Sequence, residues 1–242
     1  MFGRNPVASA RDTEKSFNVH SIFYTIQGEG PYAGCPAVFV RLAGCNLRCH
    51  FCDTDFTSSS IHMSPSLLCN EINLAAPGCP LIVITGGEPM LQNIALFVTS
   101  VSAHLPYVTT IQIETAGTVW PKGLEAVLGG EPNVFIVVSP KTPKVHPMIS
   151  RYAETWKYIV SAEEEQHDGF PAESTQIPGK RVDLARPPSD DDVCENGFEV
   201  CLQPMDEHDR IKNEANVSFV RNQCLHYGFR VSLQIHKLLG VE

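Results

Sequence analysis

The sequence lacks any apolar run near the roughly 18 residues that a membrane-crossing helix needs, so no membrane partner is expected. It lacks a basic stripe as well. Lys and Arg number 18 against 27 Asp and Glu, and direct nucleic-acid binding needs a clustered positive face. The opening stretch has no apolar core: Arg4, Arg11 and Lys15 mix with Asp12 and Glu14, which reads as a flexible tail over 1–18 rather than a secretion signal. No internal repeat is present. With 43% apolar and 19% charged residues, the composition is that of a globular protein. The 242 residues suffice for one sizeable α/β domain over 19–242.

Cysteine is abundant by contrast, with nine residues. An odd count without a secretion signal argues for reduced thiols in a cytoplasmic protein rather than a disulfide framework. Cys35, Cys69, Cys79, Cys194, Cys201 and Cys224 are scattered and read as small core residues; Cys45, Cys49 and Cys52 cluster. Acid is also concentrated. Between Ser161 and Asn196 stand ten acids and three bases, which supply seven of the nine net negative charges. That stretch holds Pro171, Pro178, Pro187 and Pro188 and few large apolar residues, so residues 162–197 read as a solvated, partly mobile surface insertion.

Short Val- and Ile-rich runs alternate with helical patterns. Strands are expected at Val19–Ile26, Ala37–Leu42, Leu81–Ile84, Thr110–Ile113, Val134–Val138, Lys157–Val160, Phe198–Leu202 and Phe229–Ile235. Several are apolar on consecutive positions, as in a parallel sheet covered on both faces. Ser64-Pro65 opens a helix running to about Leu74; Met90–Ala103 and Glu207–Tyr227 are the other expected helices. The pattern predicts an α/β fold, a single-domain partial (β/α) barrel of mainly parallel strands. Five expected strands end in polar, Gly- or Pro-bearing sets: Thr85-Gly86-Gly87-Glu88-Pro89, Glu114-Thr115, Ser139-Pro140-Lys141, Gln203-Pro204-Met205-Asp206 and His236-Lys237. Such ends converge on one mouth of a parallel barrel, where ligands bind.

The segment Gly44-Cys45-Asn46-Leu47-Arg48-Cys49-His50-Phe51-Cys52 spaces its cysteines as CxxxCxxC. Four thiolates close a 4Fe-4S cluster to chemistry, whereas three leave one iron open. A zinc site would need His50 or a remote cysteine as fourth ligand and lacks the paired spacing of zinc sites. The aromatic Phe51 before the third cysteine, Gly-Gly-Glu-Pro at the next strand end and Arg-Leu-Ala-Gly-Cys-Asn leading in together resemble the radical S-adenosyl-L-methionine signature. In that chemistry the methionine amine and carboxylate chelate the open iron, and one electron splits the sulfonium to give a 5′-deoxyadenosyl radical. Gly86 and Gly87 would let backbone approach the methionine amine.

Further motifs narrow the resemblance. They are Ile22-Phe23-Tyr24-Thr25-Ile26-Gln27-Gly28-Glu29-Gly30, Gly34 to Arg41, Cys52-Asp53-Thr54-Asp55-Phe56 and Gln234-Ile235-His236-Lys237, with Ser139 to Lys141 and Gln203 to Asp206. Together they closely resemble the 7-carboxy-7-deazaguanine synthase family over about 19–242, apart from the insertion. The resemblance implies a small-molecule substrate, 6-carboxy-5,6,7,8-tetrahydropterin. Hydrogen is taken from its C6, the ring contracts and ammonia leaves, making the precursor of queuosine-type tRNA bases. Mg2+ assists, and the cofactor is regenerated.

Carried over by position, Cys45, Cys49 and Cys52 hold the cluster. Phe51, Cys52, Asp53, Gly87, Ser139, Pro140, Lys141, Gln203, Pro204, Met205 and Asp206 contact S-adenosylmethionine. Ile26, Gln27 and Gly28 lie along the pterin, Arg41 binds it through a planar fork suited to carboxylates, and Thr85 and Glu242 also touch it. Glu29 faces its guanidine-like edge, and Thr54 gives an oxygen to Mg2+. Glu114 and His236 stand at strand ends as either ligand contacts or structural groups. A homodimer and an electron donor such as flavodoxin are expected; the donor's acidic face would keep the insertion away from its docking surface. Two other classes share features: a glycyl-radical activase acting on a partner protein, and a non-catalytic metal-binding module. The Thr-Ile-Gln-Gly-Glu-Gly run favours the small-molecule enzyme over the first, and the polar strand ends disfavour the second.

Overall fold

The computed structural model describes residues 6–11, 13–52, 54–56, 59–163, 168–189 and 197–241. Among them, one sheet is built from β1 (Phe17–Ile26), β2 (Pro36–Leu42), β3 (Ile61–Met63), β4 (Leu81–Gly86), β5 (Thr110–Thr115), β6 (Asn133–Val138), β7 (Thr155–Val160), β8 (Glu199–Pro204) and β9 (Arg230–Val231). The spatial order is β3-β1-β2-β4-β5-β6-β7-β8-β9. β1 runs antiparallel to β2 and β3; from β2 onward every neighbouring pair is parallel. Val, Ile and Leu side chains on both faces explain this, because a parallel strand is covered on both sides.

The covering helices are α1 (Pro65–Ala75), α2 (Ile94–His104), α3 (Pro147–Tyr152), α4 (Arg210–Tyr227) and α5 (Ile235–Leu239). Ser64 Oγ accepts from Leu67 N–H at 3.3 Å with Pro65 in the first turn, the cap expected from the sequence. Asn93 and Asp209 cap α2 and α4 in the same way. The helical layer is thin. β5 reaches β6 through a single 3-10 turn at Leu124–Ala126, and the described residues between β7 and β8 contain no helix. A parallel sheet with an incomplete helical ring is a partial (β/α) barrel. One core, with Phe17, Phe97, Trp156 and Tyr158 fully buried, fills the space between sheet and helices.

Several elements differ from expectation: β3 and α3 stand where none was expected, and α2 opens at Ile94 rather than Met90, after a 3-10 turn at Pro89–Leu91. β9 stops at Val231, and Ile235–Leu239 is helical, so His236 and Lys237 stand on α5 rather than at a strand end. Helix α4 starts at Arg210, because Asn213 Oδ1 accepts from Glu207 N–H at 2.9 Å and Asp206 Oδ1 from His208 N–H at 3.0 Å, which commits this stretch to a loop. Where a flexible tail is expected, Ala8 N–H donates to Cys45 O (2.8 Å) and Arg11 N–H to Leu91 O (2.5 Å), and β1 begins at Phe17.

Candidate active site

The parallel strands all point their C-terminal ends at one cavity of about 400 Å³. β2 ends in Leu42 and feeds the cysteine loop; β4 ends in the Gly86-Gly87 turn; β5, β6 and β8 end in Glu114-Thr115, Ser139 and Pro204. Four of the five expected strand ends therefore meet at this mouth, and α5 brings His236 and Lys237 to it by another route.

The cysteine loop is anchored by the glycine turn. Gly87 N–H donates to Leu42 O (3.1 Å) and Glu88 N–H to Gly44 O (2.8 Å). A Cβ on Gly86 would stand 2.3 Å from Leu42 O, and one on Gly87 would stand 2.0 Å from Gly44 O. The two glycines are thus required by the protein's own backbone, whatever ligand approaches them. Glu88 is fully buried below. It accepts from Thr115 Oγ1 (2.6 Å), Ala116 N–H (2.8 Å) and Met90 N–H (3.1 Å), joining the turn to the end of β5. Burial pushes its carboxyl pKa up against those bonds.

Cys45, Cys49 and Cys52 are half-buried, and all three line the cavity. Burial pushes the Cys45 thiol up to about 12, so a bound cation is needed to hold it as thiolate. Among the described residues no three His, Cys, Asp or Glu side chains group around one metal ion; a four-iron cluster is larger and draws its thiolates from the rim of a cavity. Three cysteines of one loop that is held by backbone bonds and lines the cavity fit such a cluster with one iron open. Phe51 and Thr54 line the same cavity. Asp53 and Glu242 lie outside the described residues.

Gly87, Ser139, Lys141, Gln203, Pro204, Met205 and Asp206 line the same cavity. Pro140 is buried and faces a small adjoining cleft beside His50 and Thr175. Lys141 Nζ donates to Ser139 O at 2.9 Å and to Ser139 Oγ. Burial, with Lys157 nearby, lowers its pKa to about 8. Gln203 Nε2 donates to Glu29 at 3.2 Å, while its Oε1 is buried without a partner. A buried orphan acceptor facing a cavity is satisfied by a ligand donor. Asp206 accepts from Lys237 Nζ (2.6 Å), His208 N–H and Asn213 Nδ2 (2.8 Å), which holds its carboxyl far below the usual range.

Ile26, Gln27, Gly28, Glu29, Arg41 and Thr85 also line the cavity. The Arg41 guanidinium lies over the Phe23 ring at 4.6 Å, and Phe23 stacks on Phe39. Glu114, left open by the sequence, is a hub here. Its Oε1 accepts from Gln27 Nε2 and Gln112 Nε2, both at 3.0 Å, and its Oε2 from Thr85 Oγ1 at 3.3 Å. Gln27 and Thr85, which line the cavity themselves, thus also orient Glu114 there. His236 packs against the Gly28 Cα, where a Cβ would fall 1.8 Å from Nδ1.

Glu29 lines the cavity, yet protein donors fill three of its roughly four acceptor positions. They are Lys157 Nζ on one oxygen, and Gln234 Nε2 (2.7 Å) with Gln203 Nε2 (3.2 Å) on the other. Burial would raise its carboxyl, but the Lys157 charge and these hydrogen bonds outweigh that and hold it well below the usual range. Lys157 and Gln112 were missed from the sequence. A lysine inside the otherwise buried run Thr155–Val160 was the available signal, because such a charge needs a partner.

A thin-walled barrel whose mouth carries a CxxxCxxC loop is the architecture of a radical S-adenosylmethionine enzyme, and the profile of the Radical SAM superfamily matches residues 40–168. The 7-carboxy-7-deazaguanine synthase of Rhodospirillum rubrum is 38% identical over the full length of both chains. That of Rickettsia prowazekii is 35% identical over 100% of this chain and 96% of its own. The crystal structure of QueE from Escherichia coli superimposes with a TM-score of 0.63 over 92% of this chain and 96% of that one, at 20% identity, a likeness of fold. The chain belongs to the 7-carboxy-7-deazaguanine synthase family.

Proposed function

We propose that this chain contracts the ring of 6-carboxy-5,6,7,8-tetrahydropterin to 7-carboxy-7-deazaguanine with loss of ammonia, a carbon–nitrogen lyase reaction for queuosine-type base synthesis. The supporting observation is one cavity lined by three cysteines together with Arg41, Gln27 and Glu114. When bound, the cluster and S-adenosylmethionine supply the radical that takes hydrogen from the substrate C6. Arg41, stiffened against Phe23, pairs with the substrate carboxylate. Glu114, oriented by Gln27, Gln112 and Thr85, keeps one acceptor position for the N–H groups of the pterin edge. Glu29 keeps one as well. Ile26, Gly28 and His236 line the ring's flank.

On the cofactor side, Lys141 and the orphan Gln203 Oε1 meet the polar end of S-adenosylmethionine. Asp53, Phe51, Gly87, Ser139, Pro140, Pro204, Met205 and Asp206 complete that side by family position. Glu242 is assigned to the substrate on the same ground. Thr54, on the cavity wall, gives an oxygen to Mg2+. A cytoplasmic setting suits free thiols. Flavodoxin or a similar donor supplies the electron, and exposed Ile211 and Val217 on α4 suit a homodimer.

The test is anaerobic turnover of the reconstituted protein with carboxytetrahydropterin, S-adenosylmethionine, Mg2+ and reductant. Formation of 7-carboxy-7-deazaguanine, abolished by Cys49→Ala, is expected. Reductive cleavage of S-adenosylmethionine without that product would point instead to a protein-activating radical enzyme.

A further inference from the structure

The acidic stretch between β7 and β8 is not a solvated loop over its described part; it folds back onto the cysteine loop. Glu173 bridges to Arg181 in antiparallel fashion, and Ser174 N–H donates to Lys180 O at 2.8 Å. Ser174 Oγ accepts from the N–H groups of Gln176 (3.2 Å) and Ile177 (3.1 Å), which shapes a tight tip. Further along, Ala185 O accepts from the buried Tyr158 hydroxyl at 2.7 Å, and Phe170 packs edge-on against the Tyr158 ring, fixing the base of the tip to β7.

The tip meets the cysteine loop through four contacts. His50 N–H donates to Thr175 O at 2.8 Å, and Arg48 N–H to Gln176 Oε1 at 2.7 Å. Gln176 Nε2 donates to Cys49 Sγ at 3.2 Å, and Cys49 Sγ lies 3.7 Å from Thr175 Oγ1. Within the tip, Gln176 Nε2 also donates to Thr175 Oγ1 at 2.8 Å. The buried Thr175 hydroxyl gives its proton to Lys141 O at 2.8 Å and therefore stands as an acceptor toward Gln176. These contacts leave the Gln176 amide one orientation. Turned over, its NH₂ would face the Arg48 N–H, donor against donor, and its oxygen would face the Cys49 sulfur. The amide N–H is thus aimed at Cys49 by partners on both sides.

We propose that Gln176 is a positioning residue that sets the cluster's redox potential, its N–H stabilising the Cys49 sulfur and making the cluster easier to reduce. The inference rests on the family reading that Cys49 is a cluster ligand. Reduction adds negative charge shared by iron and sulfur, so a donor on a ligating sulfur favours the reduced state. Thr175 acts one bond further out, by orienting the amide and tying it to the Lys141 backbone.

The experiment is an EPR-monitored redox titration of the anaerobically reconstituted full chain, with iron and sulfide content measured alongside. Gln176→Leu removes the donor; Gln176→Glu keeps the acceptor for Arg48 N–H but sets a carboxylate oxygen against the sulfur. Both are expected to retain wild-type iron. At a fixed poise the reduced-to-oxidised ratio should fall about tenfold for Gln176→Leu, the scale of one hydrogen bond to a charged group, and further for Gln176→Glu. Two results overturn the proposal: wild-type potentials in both loaded variants, or loss of the cluster from both with the fold intact, which would make Gln176 a loop brace only. A wild-type protein that binds no 4Fe-4S cluster would instead remove the family reading, a failure visible in the iron analysis alone.

Discussion

Lys157 occupies the middle of a strand whose neighbours are buried, and it is itself only 5% exposed. Its partner Glu29 arrives from the turn after β1, so the pair joins two distant parts of the chain under the cavity. Removing one member of such a pair strands the other charge, at a cost of about 3 kcal/mol. Glu29→Gln should lower stability by about that amount near neutral pH. The pH dependence follows from the lowered Glu29 pKa. A depressed carboxyl contributes its full stabilisation above its unfolded value of 4.5 and loses it as pH falls toward the folded value. Urea melts of the apo-protein between pH 7 and 3 should therefore show the wild type converging on Glu29→Gln below about pH 4.5. A constant gap between the two curves would contradict the pairing.

At the scale of elements, the sheet was legible and its accessories were not. Strands β4, β6 and β7 read directly from adjacent Val and Ile residues, since burial on both faces leaves a compositional mark, and β5 and β8 from short runs rich in apolar residues. β9 and α5 did not. A two-residue strand followed by five helical residues is too short for either period to show, and the alternation of apolar and polar residues from Phe229 to Ile235 reads as one strand. The stretch over 168–189 misled for a different reason. Its anchors are main-chain and hydroxyl bonds at Thr175, Ala172 and Ala185, which proline content and charge do not reveal. For the same reason the cysteine triad was plain in the sequence, while the Gln176 contact was invisible.

The glycine turn after β4 belongs to this scale too. Its bonds to Leu42 and Gly44 make the cysteine loop an extension of the β2–β4 pairing. Gly87→Ala would press a methyl group into the Gly44 carbonyl, where backbone must move, at a cost of about 3 kcal/mol. Iron loading should fall with it, since the loop is displaced. Gly78→Ala is the control: nothing lies within 4 Å of its would-be Cβ, and only the backbone strain of about 1 kcal/mol remains. Thermal melts and iron content compare the two; equal effects would mean that the close contact at Gly87 does not brace the loop.

Over the whole molecule, one cavity receives side chains from both ends of the sequence. The segments around it bring three cysteines, an arginine and two oriented carboxylates to the same space, and α5 adds His236 and Lys237. Within the stretch that carries seven of the nine net negative charges, the described tip at Thr175 and Gln176 braces the cysteine loop. The central claim is that cluster, cofactor and pterin act within this single cavity. A substrate carrying deuterium at C6 tests it, followed by mass spectrometry of recovered S-adenosylmethionine after anaerobic turnover. The expected result is deuterium in the adenosyl group of the recovered cofactor together with 7-carboxy-7-deazaguanine. Product formed with no deuterium in the cofactor would contradict the account.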